Sequence, residues 1–123
     1  MITMHPVDEP AVVDSLNKGR FAGDVRAYVI MDGPVYFGHM LFRVDGDVTQ
    51  VLECGIRHEN SLVDGAVRAC VAAGENAGAR CFSLNQQDEK LREWARVFVP
   101  DGRFPADNAL VFHTCCESGG EQA

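Results

Sequence analysis

The 123-residue sequence contains no run of basic residues: 11 Lys and Arg stand against 18 Asp and Glu, for a net charge of −7. Binding a nucleic-acid backbone depends on clustered Lys and Arg, so this balance excludes that class of partner. An apolar run of roughly 20 residues, the length needed to span a bilayer, is also missing, so no membrane segment is expected. The N-terminal stretch MITMHPVDEPAVV lacks a basic region followed by an apolar core, so no signal peptide is expected and a cytoplasmic location follows. The five cysteines (Cys54, Cys70, Cys81, Cys115 and Cys116) are odd in number and irregularly spaced, which fits reduced thiols better than a disulfide framework. Aromatics are sparse at 8%, and Tyr28, Tyr36, Phe37 and Phe42 have no basic flanks, so they read as sheet aromatics and not as a base-stacking platform.

What is present is an ordinary globular composition, 46% hydrophobic and 24% charged. It suits a single domain over residues 1–123, with a core over about 11–116 and a flexible tail at 117–123. A short helix is expected from about Ala11 to Lys18, opened by Pro10 and stopped by Gly19. Three strands follow, Val25 to Met31, Val35 to Val44 and Val48 to Ile56, punctuated by Asp32-Gly33-Pro34 and by the hairpin signal Asp45-Gly46. The third strand is expected to place Val48, Leu52, Cys54 and Ile56 on one face and Thr49, Glu53 and Arg57 on the other. Ser61 to Gly78 reads as a helix with a capping box in which Ser61 caps and Asp64 reaches back. Its small residues suggest close packing on a sheet. Ala79 to Leu84 follows as a buried strand, running parallel to Val48–Ile56 because a helix crosses between them. A second amphipathic helix, Asp88 to Phe98, repeats Leu91, Trp94, Ala95 and Phe98, and Asn108 to Cys116 reads as a last strand.

The order hairpin strands, helix, strand, helix, strand resembles the C-terminal part of the GNAT-type N-acyltransferase fold over about Asp24 to Cys116. The likeness implies an α+β fold, a mostly antiparallel sheet with packed helices, with a shortened N-terminus. It casts Val48–Ile56 as the central strand that pairs with the pantetheine arm of acetyl-CoA or another acyl-CoA, and Arg57–Leu62 as the pyrophosphate loop. Cys54, Ile56, Arg57, His58, Asn60, Ser61 and Leu62 are then the cofactor-binding candidates, and Glu53 is the candidate general base that deprotonates an amine. A base in a buried setting needs a raised pKa. The family's loop glycines are absent here, and Val63 and Asp64 stand at the turn. Trp94 takes the nearest place to the family's acidic tyrosine, and an indole donates without acting as an acid.

The shortened N-terminus would leave a sheet edge uncovered, which points to a homodimer. The competing reading is a non-catalytic dimeric module that senses a small acidic ligand or another protein. Cys54 with His58, and His113 with Cys115 and Cys116, raise a metal- or thiol-dependent role, but their spacing matches no paired-cysteine zinc site, so no metal is assigned. His39 sits mid-strand beside Gly38, and Arg57-His58-Glu59 fills the strand-to-helix loop, where anion contacts would fall.

Overall fold

In the computed structural model, residues 1–56 and 60–112 are described, with only the backbone given for Asn60 and Ser61. The elements run β1 (Ile2–Pro6), α1 (Pro10–Asn17), β2 (Arg26–Asp32), β3 (Val35–Asp45), β4 (Val48–Cys54), α2 (Asn60–Asn76), β5 (Cys81–Leu84), α3 (Glu89–Phe98) and β6 (Ala106–Asp107). One six-stranded sheet takes the order β1-β2-β3-β4-β5-β6. Every neighbouring pair is antiparallel except β4 with β5, where α2 makes the crossover. The α+β architecture and the mostly antiparallel sheet are as the sequence implies.

Local chemistry explains the boundaries. Pro10 opens α1, and Lys18 closes it in a left-handed conformation, its N–H donating to the Asp14 carbonyl. Gly33 and Gly46, both with φ near +59°, sit in the two-residue hairpin loops after β2 and β3. Asp88 caps α3 by accepting from the Leu91 N–H at 3.1 Å.

The sheet carries a core on each face. Toward α1 lies a small cluster of Ala27, Leu41 and Leu52, joined by Val13, Leu16 and Phe21. Toward α2 and α3 lies the large one, in which Met40, Val51, Phe82, Val67, Val71 and Leu91 are fully buried. Phe82 meets the Trp94 ring edge-on at 6.1 Å between centroids.

Four expectations are corrected. The first concerns the N-terminus, which contributes a strand: β1 pairs with β2 from Ile2↔Asp32 to Pro6↔Tyr28, so the edge thought bare is covered. The second concerns the faces of β4. Leu41 pairs with Glu53 but Phe42 pairs with Val51, so Leu52 is an extra residue in β4, and it faces α1 while Cys54 faces α2. The third concerns the capping box. Since α2 begins at Asn60, Asp64 lies more than a turn inside the helix. Its carboxylate instead accepts from Arg68 Nε at 3.0 and 3.1 Å and from the Trp94 indole at 3.0 Å. The buried face of α2 is therefore Val63, Ala66, Val67, Cys70, Val71 and Gly74, rotated from the one expected. The fourth concerns the last strand: β6 is only Ala106–Asp107, and residues 109–112 are helical, held by Asn108, whose side chain donates to the Ala79 carbonyl at 2.9 Å. Residues 113–116 lie outside the described residues.

Asp64 thus ties α2 to α3. Asp64→Ala should cost about 1–2 kcal/mol in urea melts, because it leaves the indole and Arg68 Nε without their shared acceptor at a partly exposed site. The single tryptophan reports the same loss as a red shift in its emission.

Candidate functional site

The site is assembled by two irregularities in the sheet. In an unbroken strand Tyr36 and His39, three residues apart, would point to opposite faces. Between β2 and β3, however, Ile30 pairs with Gly38 and Met31 with Tyr36, so Phe37 is an extra residue. The second irregularity, at Leu52, turns Glu53 toward the α1 side. The two bulges bring Tyr36, His39 and Glu53 into one line.

That line is hydrogen-bonded from end to end. The Tyr36 hydroxyl lies 2.8 Å from His39 Nδ1, and His39 Nε2 lies 2.6 Å from Glu53 Oε2. The other carboxylate oxygen of Glu53 is bound by the Arg20 guanidinium. Arg20 reaches there because the chain turns back after α1. Its Nε and its second terminal nitrogen hold the Asn17 and Leu16 carbonyls, each at 3.0 Å. The side chains of His39 and Glu53 are 15% and 16% exposed, so their contact at the centre is largely shielded, while Tyr36 is about half exposed.

Glycine makes room for the line. The Gly55 N–H donates to the His39 carbonyl at 2.8 Å. A Cβ on Gly55 would fall 2.5–2.8 Å from three atoms of the His39 ring. A Cβ on Gly38 would meet the Gly55 carbonyl oxygen at 2.6 Å. The imidazole therefore packs directly against bare backbone.

The electrostatics redefine Glu53. Burial pushes its pKa up, but the hydrogen bonds and charges of Arg20 and His39 outweigh that and hold it below the ordinary carboxylate value. The requirement of a raised pKa is not met, and both oxygens are engaged. A carboxylate so placed orients and stabilises an imidazole, and it is poorly suited to take a proton itself. Because the native value is depressed, the stabilisation is complete at neutral pH and disappears as pH falls from the ordinary value of 4.5 downward. Wild type should therefore exceed Glu53→Gln in urea-melt stability at pH 7, and the gap should narrow as pH falls below 4.5.

A cavity of about 360 Å³ opens beside this line, walled by Tyr36, His39, Glu53, Cys54, Gly55, Ile56 and Asp88. Of the residues expected from sequence, Glu53, Cys54 and Ile56 meet there. Leu62 packs against the large core instead. Arg57 and His58 lie outside the described residues, as do the side chains of Asn60 and Ser61. Cys54 is buried, and burial above all pushes its thiol up to about 11, so it contributes shape and not a thiolate. Among the described residues no three His, Cys, Asp or Glu side chains come together as a metal site. A larger cavity of about 520 Å³ lies between α1 and β2, rimmed by Asp8, Asp14 and Asp24, but the hydrogen-bonded line does not reach it.

Residues that the sequence reading left out are Arg20, Tyr36 and Asp88. His39 stood out only as a strand histidine beside Gly38, and its spacing from Tyr36 gave no signal until the bulge was known.

Acyl-CoA can be tested against the shape of β4. The β4–β5 ladder ends at Val51↔Leu84, beyond which β4 would offer free peptide groups to an extended pantetheine amide. They are taken. The bulge turns both the Val51 and Leu52 carbonyls toward Asn85, which binds the first through its N–H at 2.9 Å and the second through its side-chain amide at 3.0 Å. Asp88 accepts the Cys54 N–H at 2.9 Å while also capping α3. The described residues do not fit a pantetheine arm on this strand.

No protein-family profile matches the chain, and no curated protein matches it significantly. Among solved structures, a GNAT-family protein of Desulfovibrio desulfuricans that bears a provisional acetyltransferase designation superposes with a TM-score of 0.58. It shares 8% sequence identity, over 82% of this chain and 83% of that one. At that identity the likeness is one of fold: this chain has a GNAT-like α+β arrangement.

Proposed function

We propose that the protein catalyses N-acyl transfer from a small acyl thioester to an amine, with His39 as proton acceptor and Glu53 and Arg20 as its positioning residues. The reading is supported by the GNAT-like fold together with one observation, the 2.6 Å His39–Glu53 contact beside a cavity at the end of β4. In the step, the amine nitrogen bonds to the thioester carbonyl carbon and the C–S bond breaks. The amine proton passes to His39, and the thiolate leaves. Glu53 stabilises the imidazolium, and Arg20 keeps Glu53 ionised. Such assistance contributes about 10²–10⁴-fold in rate.

The test is thioester consumption by the full chain with a panel of amines, using acetyl-CoA and a truncated acetyl thioester as donors. Wild type should acylate at least one amine, and His39→Gln should reduce that rate by at least 10²-fold with its circular dichroism unchanged. Equal rates, or no amine-dependent consumption of either donor, would overturn the reading.

A second reading, a non-catalytic small-ligand module, is favoured by the occupied edge of β4. Since Asn85 and Asp88 must be displaced, acetyl-CoA should bind no tighter than about 1 mM. At 0.1 mM it should leave the melting temperature unmoved. For comparison, a ligand at 100 times its Kd stabilises by about 2.7 kcal/mol, an easily read shift.

A further inference from the structure

The order of hydrogen bonds fixes where the protons of this line sit. An ionised Glu53 has acceptor oxygens only, so the contact at 2.6 Å requires the proton on His39 Nε2. In the neutral form of the ring the basic lone pair is then on Nδ1, and 2.8 Å from that atom stands the Tyr36 hydroxyl. The nitrogen able to accept a proton therefore faces the phenol and not open solvent. Tyr36 is half exposed and lines the same cavity as His39, Glu53 and Asp88. The ring of His39 is pressed onto Gly55 and largely shielded.

We propose that Tyr36 is the residue that meets the substrate, and that His39 draws the substrate proton through the Tyr36 hydroxyl. The proposal rests on the reading of the site given under Proposed function and adds the group that makes contact. In the relay the N–H bond of the amine breaks as a new O–H bond forms on Tyr36. The original O–H bond of the phenol breaks as Nδ1–H forms, and positive charge comes to rest on the imidazolium beside Glu53. Atoms and charge balance without an ionised tyrosine at any stage. The phenol thus supplies from β3 a proton-exchanging group that Trp94, held as a donor to Asp64, cannot supply from α3.

Two measurements on the full chain test this. Long-range nitrogen–proton spectra over a pH series, read in the neutral form of the ring and with His39 assigned among the four histidines by His39→Gln, should show a protonated Nε2 and an unprotonated Nδ1. Tyr36→Phe should keep that tautomer and move the Nδ1 signal as its donor is lost. A protonated Nδ1 in the neutral ring of the wild type, or an Nδ1 signal indifferent to Tyr36→Phe, would overturn the relay whatever the catalytic result. In the amine acylation assay, Tyr36→Phe should lower kcat by at least 10²-fold with little change in KM. The double variant with His39→Gln should be no slower than His39→Gln alone, as for residues acting as one unit. A Tyr36→Phe protein with wild-type kcat would show that His39 works on the substrate directly. If wild type acylates no amine, the reading under Proposed function fails, and the spectrum alone decides the hydrogen-bonded order.

Discussion

Gly74→Ala is expected to lower stability by about 3 kcal/mol, or roughly 10 °C in melting temperature. A Cβ at this position would lie 1.6 Å from Thr49 Oγ1, 2.8 Å from its Cβ and 3.0 Å from its Cγ2. Nothing there can yield cheaply. Thr49 is fully buried in the middle of the sheet, branched at Cβ, and carried by the central strand β4. The helix must therefore rise from the sheet, opening the contacts of Val67, Cys70 and Val71 below it. Thr49→Ala removes two of the three clashing atoms, so the double variant Gly74→Ala/Thr49→Ala should recover part of the loss. Guanidinium or urea melts of the four proteins would read that coupling directly. Additive losses would mean that the helix and strand do not meet at this point.

The second large effect is chemical. Gly55→Ala should abolish the proton-transfer activity about as completely as His39→Gln, a fall of about 10²–10⁴-fold. The new methyl group would occupy the place of the His39 ring, which must swing away and so give up both Glu53 and Tyr36. The His39 ring belongs to neither core cluster, so folding should survive with a smaller loss than for Gly74→Ala. Retained activity in a folded Gly55→Ala protein, measured in the same amine acylation assay, would show that the imidazole need not lie where the structure has it. A Gly55→Ala chain that fails to fold would leave His39→Gln as the cleaner probe of the same contact.

Much of the architecture was legible because it is written in local signals. Asp45-Gly46 announced a hairpin, Pro10 and Gly19 bracketed a helix, and Leu91, Trp94 and Ala95 marked the buried face of another. The site was much less legible, and the reason lies in the bulges. Period-two alternation separates Tyr36 from His39 and joins Leu52 to Cys54. An extra residue at Phe37 and another at Leu52 reverse both assignments. No residue type at those positions signals a bulge, since bulging is decided by pairing with the neighbouring strand. Glu53 was found because strand resemblance pointed at its position, but its role depends on Arg20, which lies 33 residues away. The strand β1 was missed for a related reason: Ile2–Pro6 is short, mostly exposed and ends in proline, so only its pairing with β2 makes it a strand. With β1 in place, the case for a homodimer moves to the edge that β1 itself presents, and sedimentation at micromolar concentration is the way to examine it.

Glu53 acting through His39, and not as a base in its own right, is best examined by a double-variant cycle on the rate of amine acylation. Glu53→Gln should slow the reaction by at least 10-fold through loss of imidazolium stabilisation, and His39→Gln by at least 10²-fold. Combined with His39→Gln, the Glu53→Gln change should cost nothing further. A full additional loss from Glu53→Gln in a protein already lacking His39 would contradict this assignment and return the base to Glu53.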